Sequence, residues 1–453
     1  MLDTLTTLTG ELSGLLWGNA LTLGLLLGTG LYLTIRLRLI QVRGFGASFH
    51  LILGTRSREK GKGEVSYFQA LSTALSATVG TGNIAGVATA ISLGGPGALF
   101  WMWVTAVLGM ATKFTECTLA VKFREVDPNG EVAGGPMYTL LHGLKMRRMA
   151  IAFAAFAMIA SFGIGNMVQA NSVVDGIAFI WPELEGHGWT LGVVMSILVG
   201  LVIIGGLVRI AKVASALVPF MVALYIGAAL IVLFNHSAAI PAALARIFNL
   251  ALNPWAVSGA AVGEAIRWGV ARGLFSNESG LGSAPIAYAA TKTNEPVRVG
   301  LVSLMGPFID TLVICTMTGL VIIVTGAYDS HPPEVEGAAL TSYAFSQVLG
   351  QGGAWVVGIG LALFAYSTTL GWSYYGDRSA KFLFGERAVL PYRVIYTILI
   401  IVGAAVPLRL VWNIADITNL LMALPNIVSL LLLAGLVSGL TTSYFARQTP
   451  SAE

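Results

Sequence analysis

Two glycine-rich polar runs decide how this chain folds, namely Ala77-Thr78-Val79-Gly80-Thr81-Gly82-Asn83 and Leu274-Phe275-Ser276-Asn277-Glu278-Ser279-Gly280-Leu281-Gly282. Each run interrupts an apolar segment, and the two runs lie about two hundred residues apart. A helix in hydrocarbon keeps its backbone N–H and C=O groups bonded within itself, so an unwound stretch at membrane depth persists only where it lines a cavity. Two breaks at matching positions in two halves of a chain are typical of transporters with inverted repeats and a substrate site near the bilayer midplane.

The composition indicates a polytopic membrane protein. Of the 453 residues, 56% are hydrophobic and 11% are charged, compared with about 25% charged residues in an average soluble domain. The net charge of +4 reflects lysine and arginine in cytoplasmic loops and does not indicate a nucleic-acid partner. The two cysteines, Cys117 and Cys315, lie in apolar runs without a CxxC pair, which favours buried thiols over a disulfide or a metal site.

Eleven membrane spans are predicted, because a hydrocarbon core about 30 Å thick needs about 20 apolar residues per helix. The apolar windows are 13–36, 65–93, 97–124, 149–176, 188–208, 212–234, 257–291, 298–325, 353–383, 392–408 and 413–440. No lysine or arginine precedes the first window, so we predict a retained span and not a signal peptide. The segment 338–349 is too short to span and is predicted to be a re-entrant or surface helix.

Basic residues predict the orientation of the chain, because cytoplasmic loops carry an excess of lysine and arginine. One set of alternate loops holds Arg36, Arg38, Arg43, Arg56, Arg58, Lys60, Lys62, Lys122, Arg124, Lys145, Arg147, Arg148, Arg209, Lys212, Lys292, Arg298, Arg378, Lys381, Arg387, Arg393 and Arg447. The other set holds only Arg246, Arg267 and Arg409. We therefore predict a multi-pass protein of the cell membrane with its N-terminus outside and its C-terminus in the cytoplasm.

The ten spans after the first form two groups of five, and each group begins with a broken helix. The broken windows 65–93 and 257–291 run in opposite directions under the predicted orientation, which is the pattern of an inverted repeat. The predicted fold is an all-α polytopic membrane protein with a five-plus-five inverted repeat and one extra N-terminal helix. Its predicted parts are the extra helix and basic loop at 1–62, the two repeats at 63–236 and 237–446, and a cytoplasmic tail at 447–453.

Four runs resemble the alanine or glycine:cation symporter family, at 76–87, 94–98, 134–138 and, above all, 277–287. The runs are long and mutually ordered, and the resemblance extends over essentially the whole chain. It implies a LeuT-like fold, coupling usually to Na⁺ and sometimes to H⁺, and uptake of small neutral amino acids, mainly alanine and glycine.

An unwound stretch can bind both charges of a zwitterionic amino acid, because one half-helix starts with free N–H groups and the other ends with free carbonyls. The residues of the first break that are predicted to bind the substrate are Thr78, Gly80, Thr81, Gly82 and Asn83. The substrate carboxylate is predicted to lie against the amides of Gly80, Thr81 and Gly82. The glycines allow a close backbone approach, and Asn83 orients the carboxylate. The carbonyls of Phe275 and Ser276, with the Ser276 hydroxyl, are predicted to bind the ammonium. Gly86 is instead predicted to serve close helix packing.

The ninth window contains the run Ala365-Tyr366-Ser367-Thr368-Thr369. Its adjacent hydroxyls suit Na⁺, which prefers hard oxygen ligands. The family resemblance implies that Thr368, Thr369 and the Ala365 carbonyl face the carbonyls of Ser76 and Val79. The alternative is that each threonine hydroxyl bonds only to the carbonyl four residues before it in its own helix.

Two amides and two aromatic rings are further candidates for the pocket. Gln169 is predicted to reach the pocket from the fourth window, although it and Asn166 could instead bond to adjacent helices. Phe275 and Trp372 are predicted to cap the substrate side chain, the alternative being simple packing.

Ionisable residues inside the membrane are functional candidates by default. Glu278 in the second break and Asp310 in the eighth window could couple transport to protons. We favour structural roles, in which Glu278 bonds across its own break and Asp310 meets Arg272 or polar neighbours. Lys113 and Glu116 are predicted to form a pair on the helix surface near the interface.

These observations predict a secondary active symporter that couples inward Na⁺ movement to uptake of alanine or glycine by alternating access. H⁺ coupling is the main alternative. A channel or a membrane-embedded enzyme is less favoured, because the chain offers no charge ring and no HExxH or GxSxG motif. No catalytic residue and no cofactor besides the coupling ion is predicted. The predicted partners are the amino acid, Na⁺ and the lipid bilayer, and the oligomeric state stays open.

Overall fold

The computed structural model describes residues 2–54, 61–126, 131–184, 186–252, 259–333, 335–406 and 408–448. Three basic residues of the first predicted cytoplasmic loop, Arg56, Arg58 and Lys60, lie outside the described residues, as does the stretch 449–453 of the predicted tail. The described chain is almost entirely helical. Its two short strands, Glu125–Val126 and Val132–Ala133, pair antiparallel.

The described residues of the first half of the chain form twelve α-helices. They are α1 (Leu2–Trp17), α2 (Ala20–Arg36), α3 (Ile40–Arg43), α4 (Phe45–Gly54), α5 (Tyr67–Thr78), α6 (Val87–Gly94), α7 (Gly97–Lys122), α8 (Pro136–Tyr138), α9 (Arg147–Phe162), α10 (Val168–Ile180), α11 (Gly188–Ile203) and α12 (Gly206–Asn235). The irregular turns between them are the π-helical segments Gly82–Gly86, Thr139–Gly143 and Gly163–Met167 and the 3₁₀ segment Pro182–Leu184.

The second half contains eleven α-helices among the described residues. They are α13 (Ile240–Leu252), α14 (Gly259–Asn277), α15 (Ala284–Tyr288), α16 (Pro296–Ser303), α17 (Met305–Pro307), α18 (Thr316–Val324), α19 (Ala327–Ser330), α20 (Gly337–Leu349), α21 (Gln351–Phe384), α22 (Val389–Ala405) and α23 (Leu408–Gln448). The irregular turns are the π-helical segment Phe308–Cys315 and the 3₁₀ segments Ser237–Ala239 and Glu386–Ala388.

Contacts between distant parts of the chain define two faces of the bundle. On the basic face, Arg124 bonds to the carbonyls of Thr291 and Thr293, Arg447 pairs with Glu295, and Arg378 and Lys381 both contact Glu131. On the opposite face, Arg267 and Arg409 line one cavity. The residue Val65, just before α5, pairs with Thr291, just after α15, in an isolated parallel bridge on the basic face. The first broken helix therefore starts where the second ends, and the two are antiparallel.

Seven described helices, and two more if each bent pair is one span, are long and apolar enough to cross a bilayer. The prediction of one continuous helix at 13–36 is wrong, because α1 ends at Trp17 and the Asn19 side chain caps α2 by accepting the Leu21 N–H at 2.8 Å. The predicted span 188–208 is a helix of 16 residues that ends just before Gly206, whose φ is 65°. Helix α14 carries three charged residues, Glu264, Arg267 and Arg272. The number eleven therefore stays a prediction.

The two broken helices lie in the middle of the bundle, where α5 packs on α12 and α21, and α14 packs on α6 and α7. Helix α5 begins with a capping box formed by Ser66 and Gln69, which satisfies two N–H groups at its start. Helix α20 corresponds to the segment 338–349 and packs against the π-helical turn after the first break. Its Thr341 hydroxyl donates to the Ile84 carbonyl at 3.1 Å, so this short helix covers the break from the opposite face.

Candidate substrate and cation site

The two breaks lie directly against each other. The helical segments on either side of the first break, Tyr67–Thr78 and Gly82–Gly94, are bent by 55°. A Cβ atom added to Gly82 would lie 3.1 Å from Ser276 Cα and 3.4 Å from the Phe275 ring, so this approach requires glycine. A Cβ atom added to Gly86 would have its nearest neighbour at 3.9 Å, so the close packing predicted there is wrong. The structure thus brings together residues that were assigned to opposite ends of the substrate.

Several polar groups of the first break have partners inside the protein, and one buried side-chain hydroxyl has none among the described residues. The Gly80 N–H donates to Asn83 Oδ1 at 2.9 Å, and the Thr81 N–H donates to Gln169 Oε1 at 3.3 Å. The Thr78 hydroxyl bonds to carbonyls of its own helix. The Thr81 hydroxyl is buried and has no hydrogen-bond partner among the described residues. A buried hydroxyl without a partner is rare, and a polar atom of a ligand would satisfy it.

Asp310 connects the two breaks. Its Oδ1 accepts a hydrogen bond from Asn83 Nδ2 of the first break at 2.7 Å, and its Oδ2 accepts one from Ser276 Oγ of the second at 2.8 Å. Among the described residues no arginine or lysine lies within hydrogen-bonding distance of this carboxylate. Arg272, which was one of its predicted partners, pairs instead with Asp416. The contacts agree with the polar-neighbour interpretation, but the link between the breaks was not predicted.

Glu278 forms hydrogen bonds across the second break, which agrees with the structural role predicted for it. Its backbone has a φ of 54°, a left-handed conformation that is uncommon for residues other than glycine. The carboxylate accepts hydrogen bonds from Ser283 Oγ at 2.6 Å and from Trp372 Nε1 at 2.7 Å. The indole of Trp372 is thereby fixed beside the break.

Lys113 and Glu116 are only 1% and 2% exposed, so the prediction of a helix-surface pair is wrong. The Lys113 ammonium donates to the carbonyl of Asn277 at 2.8 Å, where a positive charge is favoured by the negative end of the α14 dipole. Glu116 accepts a hydrogen bond from Asn426 Nδ2 at 2.6 Å. The prediction failed because this part of α7 lies inside the bundle, against α14 and α16, which hydropathy does not reveal.

Hydroxyls of α21 face the last carbonyls of α5. The Thr368 hydroxyl donates to the Val79 carbonyl at 3.3 Å, and the Ser367 hydroxyl donates to the Ser76 carbonyl at 3.3 Å. Ser367 was not predicted, although it belongs to the same run of hydroxyl residues. Neutral hydroxyl and carbonyl oxygens at the negative end of a helix form a ligand set that suits Na⁺.

The other predicted cation ligands adjoin this group. The Thr369 hydroxyl donates to the Ala365 carbonyl at 2.8 Å, which is the within-helix alternative, yet its lone pairs remain able to bind a cation. A Cβ atom added to Gly80 would meet the Thr368 hydroxyl and lie 3.2 Å from Gln169 Oε1. Residues assigned to the substrate and to the cation are therefore neighbours. Asn166, in contrast, donates to the Tyr396 carbonyl of an adjacent helix at 2.6 Å.

A cavity of about 380 Å³ lies between the second break and the opposite face. Two contacts form its floor. Arg272 Nη2 donates to Asp416 Oδ2 at 2.6 Å, and the ring of Phe275 lies against that of Trp412, tilted by 33°, with centroids 4.6 Å apart. Phe275 and Trp372 were assigned to one cap, but the structure gives them different partners.

The basic face is closed by a clamp that consists of Arg124 and the segments 62–65 and 289–293. Arg124 donates to four carbonyls, those of Lys62, Ala289, Thr291 and Thr293, at 2.5 to 2.8 Å. Backbone bonds join the two segments, including Glu64 N–H to the Ala290 carbonyl at 2.8 Å and Lys292 N–H to the Val65 carbonyl at 2.8 Å. No sequence motif indicates this role, because backbone carbonyls occur at every position.

An ion-pair network lies beside the clamp. Glu131 contacts Lys381 at 2.8 Å and Arg378 at 3.3 Å. The hydrogen bond from Lys381 lowers the pKa of Glu131 below its ordinary value. The carboxylate therefore stays ionised near neutral pH and ties the loop after α7 to the end of α21.

The chain matches the model of the sodium:alanine symporter family over residues 2–453. It is 48% identical to the sodium/alanine symporter AgcS of Methanococcus maripaludis over 97% of each chain, and 39% identical to the probable sodium/glutamine symporter GlnT of Bacillus subtilis over 94% of this chain and 88% of that one. The crystal structure of MhsT in complex with L-phenylalanine superposes with a TM-score of 0.57 at 13% identity, covering 84% of this chain and 99% of that one. The predicted LeuT-like fold is thereby confirmed. The chain is a multi-pass membrane transporter and not an enzyme, and it belongs to the sodium:alanine symporter family.

Proposed function

We propose that this transporter couples inward movement of Na⁺ to uptake of a small neutral amino acid, alanine or glycine, by alternating access. The observation that carries the proposal is the meeting of the two breaks, at which Gly82 lies against Ser276 while the neighbouring Val79 carbonyl faces Thr368. The similarity to a sodium/alanine symporter supports both the cation and the substrate. The similarity to a probable sodium/glutamine symporter makes side-chain size the property to test.

The substrate carboxylate binds at the first break in this proposal. It accepts a hydrogen bond from the Thr81 hydroxyl, which lacks a partner among the described residues, and from the Thr81 amide, whose bond to Gln169 is long at 3.3 Å. The ammonium binds the carbonyls of Phe275 and Ser276 at the end of α14, where the helix dipole is negative. The buried ring of Trp372, fixed by its indole N–H, limits the room for the side chain.

The cation binds between α5 and α21, with the Ser76, Val79 and Ala365 carbonyls and the Thr368 and Thr369 hydroxyls as ligands. Ser367 is added to this group because its hydroxyl already reaches the Ser76 carbonyl. All these ligands are neutral, so one Na⁺ and one zwitterion carry one net positive charge inward. Transport is then electrogenic and gains about 2.3 kcal/mol for each 100 mV of membrane potential.

The basic face is the cytoplasmic face in this proposal, because cytoplasmic loops are enriched in lysine and arginine. The clamp around Arg124 then closes the path to the cytoplasm, while the cavity above Arg272 and Asp416 opens towards the outside. Alternating access exchanges these two barriers around a fixed site.

H⁺ coupling is the second candidate function, and Asp310 is the observation that favours it. This carboxylate contacts both breaks but no basic side chain among the described residues. A buried carboxylate without a cationic partner is costly when ionised. Protonation of Asp310 would therefore be sensed by both breaks at once.

The test is uptake of labelled alanine into liposomes that contain the purified full-length protein. An inward Na⁺ gradient, an inward H⁺ gradient and no gradient are compared, with unlabelled glycine and glutamine as competitors. Uptake driven by Na⁺ and inhibited by glycine but not by glutamine supports the proposal. Uptake driven only by H⁺ replaces Na⁺ as the coupling ion, and the absence of alanine uptake under both gradients refutes the substrate.

A further inference from the structure

A second cavity, of about 240 Å³, lies between the end of α2 and the last turns of α23. It belongs to the basic face, because the same end of α23 carries Arg447, which pairs with Glu295. Its polar lining consists of three arginines and three hydroxyl residues, and no carboxylate is among the described residues that line it, which include Arg36, Arg38, Arg43, Ser438, Thr441 and Thr442. We call this cavity the arginine pocket. None of its residues belongs to the two breaks, the cation site or the clamp, so the proposed function gives the pocket no role.

The guanidinium groups of the pocket lie close together and are not neutralised. A Cβ atom added to Gly435 of α23 would lie 3.9 Å from Arg36 Nη2. The Arg43 guanidinium lies over the ring of Phe445, 5.4 Å from its centroid. None of the three arginines forms a hydrogen bond or an ion pair with a described residue. Adjacent cations without a counter-ion attract an anion, and the planar guanidinium suits the paired oxygens of a phosphate.

The turn after α2 holds its arginines in a fixed position. Arg38 and Leu39 both have a left-handed backbone, with φ values of 52° and 55°, which is uncommon for residues other than glycine. Gln41 fixes this turn, because its Nε2 donates to the Thr34 hydroxyl at 2.8 Å and to the Val107 carbonyl of α7 at 3.1 Å. A strained backbone of this kind persists only where the surrounding structure determines it. The positive charges are therefore placed by the fold and do not lie on a freely moving loop.

The pocket lies at the level expected for phospholipid headgroups. Helix α2 ends at Arg36, and the apolar run of α23 gives way to the polar stretch 441–444, which includes a tyrosine. Tyrosine is enriched where a membrane helix meets water. Nearer the middle of the same two helices, Tyr32 is 43% exposed, and Leu431 and Leu432 are 36% and 58% exposed. A phosphate in the pocket thus has an apolar surface beside it on which attached acyl chains can lie.

We propose that the arginine pocket binds the phosphate of an anionic phospholipid such as phosphatidylglycerol. Arg36, Arg38 and Arg43 donate hydrogen bonds to the phosphate oxygens. The Ser438 hydroxyl, which makes no side-chain hydrogen bond to a described residue, donates to the headgroup as well. Basic pockets between membrane helices are typical sites for the headgroups of anionic lipids. The bound lipid joins α2 to α23, and this inference does not rest on the proposed function, because it involves neither the amino acid nor Na⁺.

The test is a titration of the purified full-length protein with phosphatidylglycerol in a neutral detergent, with bound lipid counted by native mass spectrometry. A variant with Arg36→Gln and Arg38→Gln is compared with a matched control, Arg147→Gln with Arg148→Gln, which removes the same charge from two exposed arginines outside the pocket. Loss of charged hydrogen bonds is expected to weaken lipid binding at least about tenfold in the first variant. The control keeps the wild-type affinity. Thr442→Glu places a carboxylate beside the arginines without removing one, and it is expected to weaken binding by a similar factor.

Other outcomes of the same titration would overturn the assignment. Wild-type affinity in the pocket variant, or equal weakening in both double variants, would show that the lipid does not recognise the pocket. Equally tight binding of phosphatidylcholine would show that the net charge of the headgroup is not recognised. Displacement of the lipid by an equal concentration of free glycerol phosphate would identify a site for a small soluble phosphate ester instead. Since the titration contains neither alanine nor Na⁺, its failure would leave the proposed function standing.

Discussion

Replacing Gly82 by alanine should push the two breaks apart and weaken transport. The new Cβ atom would lie 3.1 Å from Ser276 Cα and 3.3 Å from Ser276 Cβ, closer than comfortable carbon–carbon contact at about 3.5–4.0 Å. Either the first or the second break must therefore move by a few tenths of an ångström. Overpacking of this kind costs about 1–3 kcal/mol, and a factor of ten corresponds to about 1.4 kcal/mol. We expect kcat/KM for alanine to fall by about 5- to 150-fold.

Gly86→Ala is the matched control, because it adds the same methyl group to the same helical segment. Its nearest neighbour would be the Thr81 carbonyl oxygen at 3.9 Å, so wild-type transport is expected. Both variants are purified, checked for a monodisperse full-length protein, and assayed for Na⁺-driven alanine uptake in liposomes. Wild-type kinetics in Gly82→Ala would refute the argument that the contact between the breaks forms the site. Equal loss in both variants would show that any side chain in this segment is harmful, wherever it points.

Three other substitutions test the remaining parts of the site. Thr368→Val should lower the apparent Na⁺ affinity by about 10- to 100-fold through loss of one ligand. The control Thr29→Val removes a buried hydroxyl that is bonded to its own helix and should keep the wild-type Na⁺ affinity. The same Na⁺ affinity in both variants would exclude Thr368 as a cation ligand. Asp310→Asn should lower alanine uptake at least about tenfold, because an amide has one acceptor oxygen where the carboxylate has two, and unchanged uptake across pH would exclude a role for this group. In a protein that carries Thr291→Cys, Arg124→Gln should raise the rate of alkylation of that cysteine from the basic face at least about tenfold. An unchanged alkylation rate would show that Arg124 does not close that face.

Local chemistry in the sequence was sufficient to predict the two breaks and the hydroxyl run. A glycine-rich polar stretch in an apolar segment has few stable conformations in a membrane, so its position alone indicates an unwound site. The capped break at Asn19 was missed, because an asparagine beside a glycine is a common sequence and the apolar run continues on both sides. The sequence carries such a cap only as a weak signal.

Tertiary contacts account for what could not be predicted. Asp310 meets Asn83 and Ser276, which are separated from each other by almost two hundred residues, and no local pattern encodes that meeting. Lys113 was placed near the surface because a charged residue towards the end of an apolar window usually lies there. It is buried because the end of α14 offers it the Asn277 carbonyl. Arg124 carries no motif, since its four partners are backbone oxygens.

In the proposed mechanism, helix α5 links the cation site to the clamp on the basic face. It has 12 residues and is therefore about 18 Å long, with the clamp residue Val65 just before its start and the proposed ligand Val79 just after its end. Gly371 of α21 packs against Ala77 of α5 with no room for a Cβ atom. Because the end of α5 lies directly on α21 at this point, tilting α5 changes the distance from the Val79 carbonyl to the Thr368 hydroxyl. In the proposed mechanism, a bound cation fixes that distance, and movement of the same helix separates Val65 from Thr291. The number of contacts to be broken differs between the two barriers. The clamp holds four bonds from Arg124 and several backbone bonds, whereas the floor of the cavity beside Arg272 is held by one ion pair, one contact between tilted rings and the cation–π contacts of Arg272. In the proposed alternating-access cycle, fewer contacts must therefore be broken on the cavity side than at the clamp, and we propose that binding of cation and substrate supplies the free energy that moves α5.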